Sequence, residues 1–214
     1  MKLLNELYGK HKEDVYILGS GSSLAFIDKS FFEGKITIGL NMVYRDFNVS
    51  YMLSHHHNVV QEAINCGQTV ITSEWGTCAE VNGRHNFEGE YYVYKHTWQG
   101  YSEVDLSRFG EIIGAAGTPV VAALQVAYLM GAKNIILCGV DGGSIDGKYN
   151  YKDYYIPTAD GHAGRVENVI REVANRIRKE GVGVHSLNPF VNFTNEDHNF
   201  VACNSLWNDS NLDT

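Results

Sequence analysis

The segment from Gly19 to Leu24, Gly-Ser-Gly-Ser-Ser-Leu, has two properties of an anion-binding loop. It lies directly between the first predicted strand and a helix expected to follow it, and its glycines allow a ligand to approach the backbone N–H groups. The candidate binding residues are Gly19, Ser20, Gly21, Ser22 and Ser23. A tight turn that requires glycine is the alternative interpretation. The segment lacks the Lys-Ser/Thr pair of a P-loop and the third glycine of a dinucleotide fingerprint, so neither of those sites is predicted.

Further polar residues follow other predicted strands. Asn41 could donate to and accept from a sugar or base, although asparagine also forms turns at such positions. Asp141 could bind a metal or a sugar hydroxyl, or cap the next turn. The consecutive histidines His55, His56 and His57 cannot all face one ion and have no further ligand at metal-site spacing. We therefore predict one ligand-facing imidazole and no metal site.

Four tyrosines and a histidine crowd a polar segment that follows a buried strand. They are Tyr149, Tyr151, Tyr154, Tyr155 and His162. Phenols stabilise oxyanions without adding charge, and a neutral histidine at a helix N-terminus can act as a general base. An aromatic lid packed on the core, with His162 as a helix cap, explains the same residues equally well.

Strand and helix patterns alternate along the chain and would position these groups. Strands are predicted at residues 15–18, 35–40, 49–53, 69–72, 134–141 and 182–187, with a possible extra strand at 91–94. Helices are predicted at residues 2–11, 57–66, 118–131 and 162–179. The third helix has Thr118 as its N-cap, Pro119 at its first position and Gly131 as its stop.

This alternation predicts a doubly wound, mostly parallel, Rossmann-like α/β sheet whose ligands lie beyond the carboxyl ends of the strands. We expect one domain over residues 1–189 and a loosely packed polar tail over residues 190–214. The segment 142–160 would form a tyrosine-rich lid. Residues 76–116 show no clear pattern besides the possible strand.

Composition restricts the partners. The chain has 214 residues, of which 44 % are hydrophobic and 20 % are charged, and its net charge is −8 with scattered basic residues, so nucleic acid and anionic membranes are poor partners. No apolar run approaches the roughly 20 residues of a membrane span, and no export signal is recognisable. Four widely spaced cysteines favour a reducing cytoplasm.

The order of motifs over residues 15–189 resembles the bacterial lipooligosaccharide sialyltransferases and their relatives, the flagellin-modifying glycosyltransferases and the hydroxymethylpterin pyrophosphokinases. The family's Gly-Asn-Gly-Pro-Ser-Leu loop is similar to Gly19–Leu24, and its strand-ending Asn is similar to Asn41. A Gly-Thr helix start, a strand pattern that ends in Asp141, and a Gly-His pair at His162 continue the likeness.

The resemblance implies an inverting glycosyltransferase of sialyltransferase-type fold that uses a CMP-linked sugar, such as a sialic-acid-like nonulosonate, without an essential cofactor. It implies that His162 is the general base and that the tyrosines at 149–155 steady the departing phosphate. The loop, Asn41, His55 and Thr118 would hold the donor. A glycan or small-molecule acceptor and assembly into homo-oligomers are implied as well.

Two alternatives remain open. In a pterin-type pyrophosphokinase, Asp141 and Asp146 would gather Mg²⁺, while Arg165 or Lys148 would meet the phosphates. In a nucleotide-sugar binding protein without turnover, the loop would keep its role and His162 would be dispensable. Strict magnesium dependence indicates the first alternative, and binding without catalysis indicates the second.

Overall fold

The computed structural model describes residues 1–74, 86–97, 112–114, 118–141, 150–152, 154 and 162–187. Within these ranges the strands are β1 (Lys2–Leu3), β2 (Val15–Leu18), β3 (Ile36–Leu40), β4 (Tyr51–Leu53), β5 (Val70–Ser73), β6 (Tyr92–Thr97), β7 (Ile112–Gly114), β8 (Asn134–Cys138) and β9 (Gly183–Ser186). The α-helices are α1 (His57–Asn65), α2 (Pro119–Leu129) and α3 (His162–Lys179), and 3₁₀ helices span Leu4–Leu7, Ser22–Phe26, Lys29–Phe32 and Asn41–Arg45.

All of these strands pair in parallel, in the order β1-β6-β5-β4-β3-β2-β8-β9, with β7 beside the last residues of β6. The chain first moves outward from β2 through β3, β4 and β5 to β6. It then crosses back along α2 to place β8 on the other side of β2. The doubly wound parallel α/β sheet predicted from the alternating pattern is confirmed.

Both faces of the sheet are covered, because side chains alternate between them along each strand. In β8, Ile135 and Leu137 join the core cluster that includes α2 and α3, whereas Ile136 and Cys138 join a second cluster with α1 and the 3₁₀ helices. Strands buried on both sides must be apolar at nearly every position. This explains why they appear in the sequence as short continuous apolar runs.

Helix α2 follows its local signals closely. The Thr118 hydroxyl accepts a hydrogen bond from Val120 N at 3.3 Å, Pro119 occupies the first turn, and Gly131 takes a positive φ of 86° just past the end. Nearly all of its residues are buried, since it packs between the sheet and α3. The bounds predicted for α3 are those observed.

Two predicted helical features are wrong. Residues 2–11 form β1 and a 3₁₀ turn instead of a helix, because Lys2 and Leu3 pair with β6. The segment after the Gly19 loop is the five-residue 3₁₀ helix Ser22–Phe26, where an α-helix was expected. The possible strand at 91–94 is present as β6. None of the helices in the described ranges is both long and apolar enough to cross a bilayer.

The predicted tail at 190–214 lies outside the described residues, as does most of the tyrosine-rich segment. Of that segment, only residues 150–152 and 154 are described, so a lid remains a prediction.

Candidate functional site

The candidate site lies where the strand order reverses. β2 has β3 on one side and β8 on the other. The chain leaves the carboxyl end of β2 toward β3, whereas it leaves the carboxyl end of β8 toward β9, in the opposite direction across the sheet. In open parallel sheets, ligands bind in the crevice outside this point. The Gly19 loop follows β2 and Asp141 follows β8, so two separate predictions from the sequence meet here.

The loop is attached to the end of β8 by its own backbone. Gly19 N donates to Cys138 O and Gly21 N donates to Gly139 O, each at 2.7 Å. A Cβ atom on Gly21 would lie 2.5 Å from Cγ of Asp141 and 2.7 Å from the Gly139 oxygen. Glycine is therefore required at position 21 because other residues of the protein lie against its backbone, and this packing does not involve a ligand.

Ser23 and Asp141 form the most specific contact of the crevice. Ser23 N donates to Oδ2 of Asp141 at 2.8 Å, and the Ser23 hydroxyl donates to Oδ1 at 2.5 Å. Ser23 is 1 % exposed and Asp141 is 4 % exposed. The Ser23 donors that the sequence offers to an anionic ligand thus bind a carboxylate of the protein itself. Each Asp141 oxygen already accepts a hydrogen bond from Ser23, so Asp141 holds the loop against the end of β8.

Asn41 lies at the carboxyl end of β3 in a left-handed conformation, with φ of 52°. Its Oδ1 accepts from the Ser54 hydroxyl at 2.8 Å, and the same hydroxyl oxygen accepts from His56 N at 3.1 Å. In the part of the chain that the structure describes, no protein acceptor bonds to the Asn41 amide nitrogen. Asn41 therefore makes the turn that one interpretation predicts, while its role toward a ligand stays a prediction.

The three histidines separate in space. His55 is buried and hydrogen-bonded through Nε2 to the hydroxyl of Tyr94 on β6. His56 is the N-cap residue of α1, and the ring of His57 stacks on Phe87 at 4.8 Å between centroids. Burial raises the pKa of Tyr94, so its phenol stays protonated at ordinary pH. Across the described ranges, no three His, Cys, Asp or Glu side chains converge as a metal site.

The tyrosine segment contacts the loop directly. Tyr151 N donates to Ser20 O at 2.7 Å, and Asn150 forms an antiparallel bridge with Gly21. The Tyr151 ring packs against Phe47 with centroids 5.6 Å apart. Residues 150–152 and 154 therefore lie at the border of the crevice.

Asp46 fastens this segment to the end of the 3₁₀ helix Asn41–Arg45. Its carboxylate pairs with the Lys152 ammonium group and accepts a hydrogen bond from the Tyr154 hydroxyl. The Lys152 ammonium, together with the Tyr154 hydroxyl, lowers the pKa of Asp46 to about 2. Burial and the neighbouring carboxylate raise the pKa of Tyr154. Tyr154 would have to leave Asp46 before it could donate to a phosphate.

Two helix N-termini point toward the same edge of the sheet. Because α2 and α3 each lead back to the start of a parallel strand, Thr118 and the backbone of His162 lie at the carboxyl edge. The positive ends of both helix dipoles favour an anion there. Tyr149, Tyr155, Asp146 and Lys148 lie outside the described residues, and the side chains of His162 and Arg165 lie outside the described part of α3.

Sequence reasoning missed Ser54, Tyr94 and Asp46. Ser54 follows a strand end just as Asn41 does, so its position offered a signal. Tyr94 falls in the possible strand at 91–94, but that pattern does not show which residue the tyrosine would contact. The role of Asp46 depends on a partner 108 positions away in the sequence.

No protein-family model and no curated protein sequence matches the chain. Among solved structures, it is similar to the Campylobacter jejuni sialyltransferase CstII in complex with a trisaccharide acceptor and CMP, with 15 % identity and a TM-score of 0.50 over 85 % of this chain and 84 % of that one. It is also similar to the MAf glycosyltransferase of Magnetospirillum magneticum, with 13 % identity and a TM-score of 0.54 over 90 % of this chain and 37 % of that one. These likenesses show a shared fold.

Proposed function

We propose that the protein is a glycosyltransferase that binds a nucleotide-sugar donor in the crevice beyond β2 and β8. One observation carries the proposal. The Gly19 loop, Asn41, Asp141 and the N-termini of two helices gather at the switch point of a sheet. The fold likeness to CstII, which was solved with CMP, supports a CMP-type donor.

Charge favours a donor with a single phosphodiester. Asn41 keeps an amide donor for the sugar or base, and the N-termini of α2 and α3 supply partial positive charge. A triphosphate normally recruits Mg²⁺ and a lysine or arginine clamp, and the Gly19–Ser23 loop contains no cationic side chain. A CMP-linked nonulosonate with no metal requirement is the donor we propose.

In the proposed reaction, His162 removes the proton from an acceptor hydroxyl while that oxygen attacks the anomeric carbon. The bond from that carbon to the phosphate oxygen breaks, CMP leaves with the electron pair, and the anomeric configuration inverts. The positive end of the α3 dipole would favour the neutral form of the imidazole, which is the form that accepts a proton. The tyrosines at 149, 151, 154 and 155 would donate to the departing phosphate.

Nucleotide binding tests the site first. Isothermal titration with CMP, CDP, UDP, GDP, ADP and ATP, each with and without Mg²⁺, should show metal-independent binding of a cytidine nucleotide. An Asn41→Ala variant should bind it more weakly, whereas Asn5→Ala, a change at an exposed position next to the terminal strand β1, should not. Magnesium-dependent binding of ATP alone would refute the proposal and indicate the pyrophosphokinase.

Turnover tests the base. With CMP-sialic acid and a panel of glycan acceptors, His162→Ala should lose roughly 10²- to 10⁴-fold in kcat while CMP affinity changes less than twofold. His11→Gln, a histidine at the amino edge, is the matched control and should keep its activity. Full activity of His162→Ala would show that His162 is not the general base. Tight CMP binding without transfer to any acceptor would favour a binding protein.

A further inference from the structure

A second cavity lies at the opposite edge of the sheet, under the amino ends of β4, β5 and β6. Its volume is about 480 Å³, which falls within the range of roughly 300–1,000 Å³ typical of small-molecule sites. The side chains that matter for its chemistry are Lys2, Lys10, His11, Tyr51, Gln68 and Tyr92. None of these residues takes part in the candidate site described above.

Aromatic rings and open backbone give the cavity room for a flat molecule. Tyr51 and Tyr91 are buried, with 5 % and 6 % exposure, so their rings form fixed walls. Gly67 borders the cavity with no atom within 4 Å of the place where a side chain would begin. Flat apolar or aromatic groups pack well against such tyrosine faces.

The charge of the cavity is positive in a chain whose net charge is −8. The Lys2 ammonium pairs with Glu90 at 3.0 Å and is compensated. The Lys10 ammonium lies 5.8 Å from the centre of the Tyr51 ring, and no carboxylate in the described ranges lies within ion-pair distance of it. One uncompensated positive charge therefore faces the cavity.

His11 adds a polar group without adding charge. Its Nε2 is hydrogen-bonded to the Tyr51 hydroxyl at 2.8 Å. Burial, together with the Lys10 ammonium, lowers the pKa of His11, so the imidazole is neutral at pH 7. The Gln68 carboxamide, which has no hydrogen-bond partner among the described residues, supplies a further donor and acceptor.

We infer that this cavity is a binding site for a small organic anion with a flat ring, whose anionic group pairs with Lys10 and whose ring packs beside Tyr51 and Tyr92. The inference goes beyond the proposed transferase activity, because it concerns the other edge of the sheet.

Benzoate, phenyl phosphate and the uncharged benzamide are the probes that test it, titrated into ¹⁵N-labelled full-length protein and followed by amide chemical shifts. For ligands of this size we expect benzoate or phenyl phosphate to bind with a Kd of about 1 mM. The shifts should concentrate at Gly67, Gln68 and Gly89, and benzamide should bind at least fivefold more weakly. Preference for benzoate or for phenyl phosphate separates a carboxylate from a phosphate ligand.

Two variants test the assigned charges. Lys10→Gln should weaken anion binding at least fivefold, and Gln68→Glu should do the same by placing a negative charge in the cavity. Lys12→Gln, an exposed neighbour that does not border the cavity, is the matched control and should bind as the wild type does. Intact spectra of each variant show that it is folded.

Three results would overturn the inference. They are equal binding of benzamide and benzoate, shifts confined to the carboxyl edge around Asn41, and unchanged anion affinity in a folded Lys10→Gln protein. Because nucleotides are absent from this experiment, its failure leaves the proposed transferase untouched, and loss of the transferase would leave this site untouched.

Discussion

The pair of Ser23 and Asp141 should make Asp141→Ala strongly destabilising, whatever ligand the crevice binds. The carboxylate accepts two hydrogen bonds from Ser23, at 2.8 and 2.5 Å, and both residues are buried. A hydrogen bond to a charged group contributes about 1.5–3 kcal/mol, and both donors would lose their partner. We expect a loss of about 3 kcal/mol in the free energy of unfolding, which for a chain of this length lowers Tm by roughly 6–12 °C.

Asp141→Asn is the matched control. The amide has the same shape, its oxygen can accept from Ser23 N, and its NH₂ group can donate to the Ser23 hydroxyl oxygen. We therefore expect it to cost only about 1 kcal/mol, the difference between charged and neutral hydrogen bonds.

Urea unfolding of Ser23→Ala, Asp141→Ala and the double variant measures the contact itself. The cycle should give a coupling energy of at least about 1 kcal/mol, since the two side chains touch directly. Strictly additive effects, or an Asp141→Ala protein within about 0.5 kcal/mol of the wild type, would refute the reasoning.

Three further predictions follow from described contacts. Gly21→Ala places a Cβ 2.5 Å from Cγ of Asp141, so the urea midpoint should fall clearly; an unchanged midpoint would contradict the packing. Tyr94→Phe leaves the buried His55 without its hydroxyl partner and should cost about 1–3 kcal/mol in a thermal melt, whereas an equal Tm would show that the bond contributes nothing. Lysine pairing holds the pKa of Asp46 at about 2, below the ordinary value of 3.8. Its contribution to stability is therefore present above pH 4 and is lost as pH falls toward 2. Asp46→Asn should flatten that acid dependence, and an identical pH profile of unfolding would reject this account.

The elements that could be predicted from the sequence are those whose signals are local. Helix α2 carries its own cap, first-turn proline and glycine stop within fifteen residues, and the apolar runs of β2 and β8 follow from burial on both faces. The same kind of local pattern gave a wrong prediction for the N-terminal segment, which is not an α-helix. Leu3, Leu4 and Leu7 have helical spacing, yet Lys2 and Leu3 pair with β6 some ninety residues later, and no local pattern records such a partner.

In the candidate site, too, individual residues could be predicted from local signals, whereas contacts between distant positions could not. Ser23 and Asp141 are both candidates because each follows a strand, and the sequence favours either an external ligand or a turn for them without showing that they contact each other. Their bond joins positions 118 apart, and only the strand order brings them together. The same holds for His55 and Tyr94, whose pairing needs β4 and β6 to flank β5.

The central place of β2 has a consequence for synthesis on the ribosome. One edge of β2 pairs with β3, which emerges soon afterward, but its other edge waits for β8, and Ser23 waits for a partner 118 residues later. At about 5–20 residues per second, this delay is roughly 6–24 s. Throughout that time β2 is the edge strand of an incomplete sheet, so efficient production of the protein should depend on chaperones that shield such edges until β8 has been made.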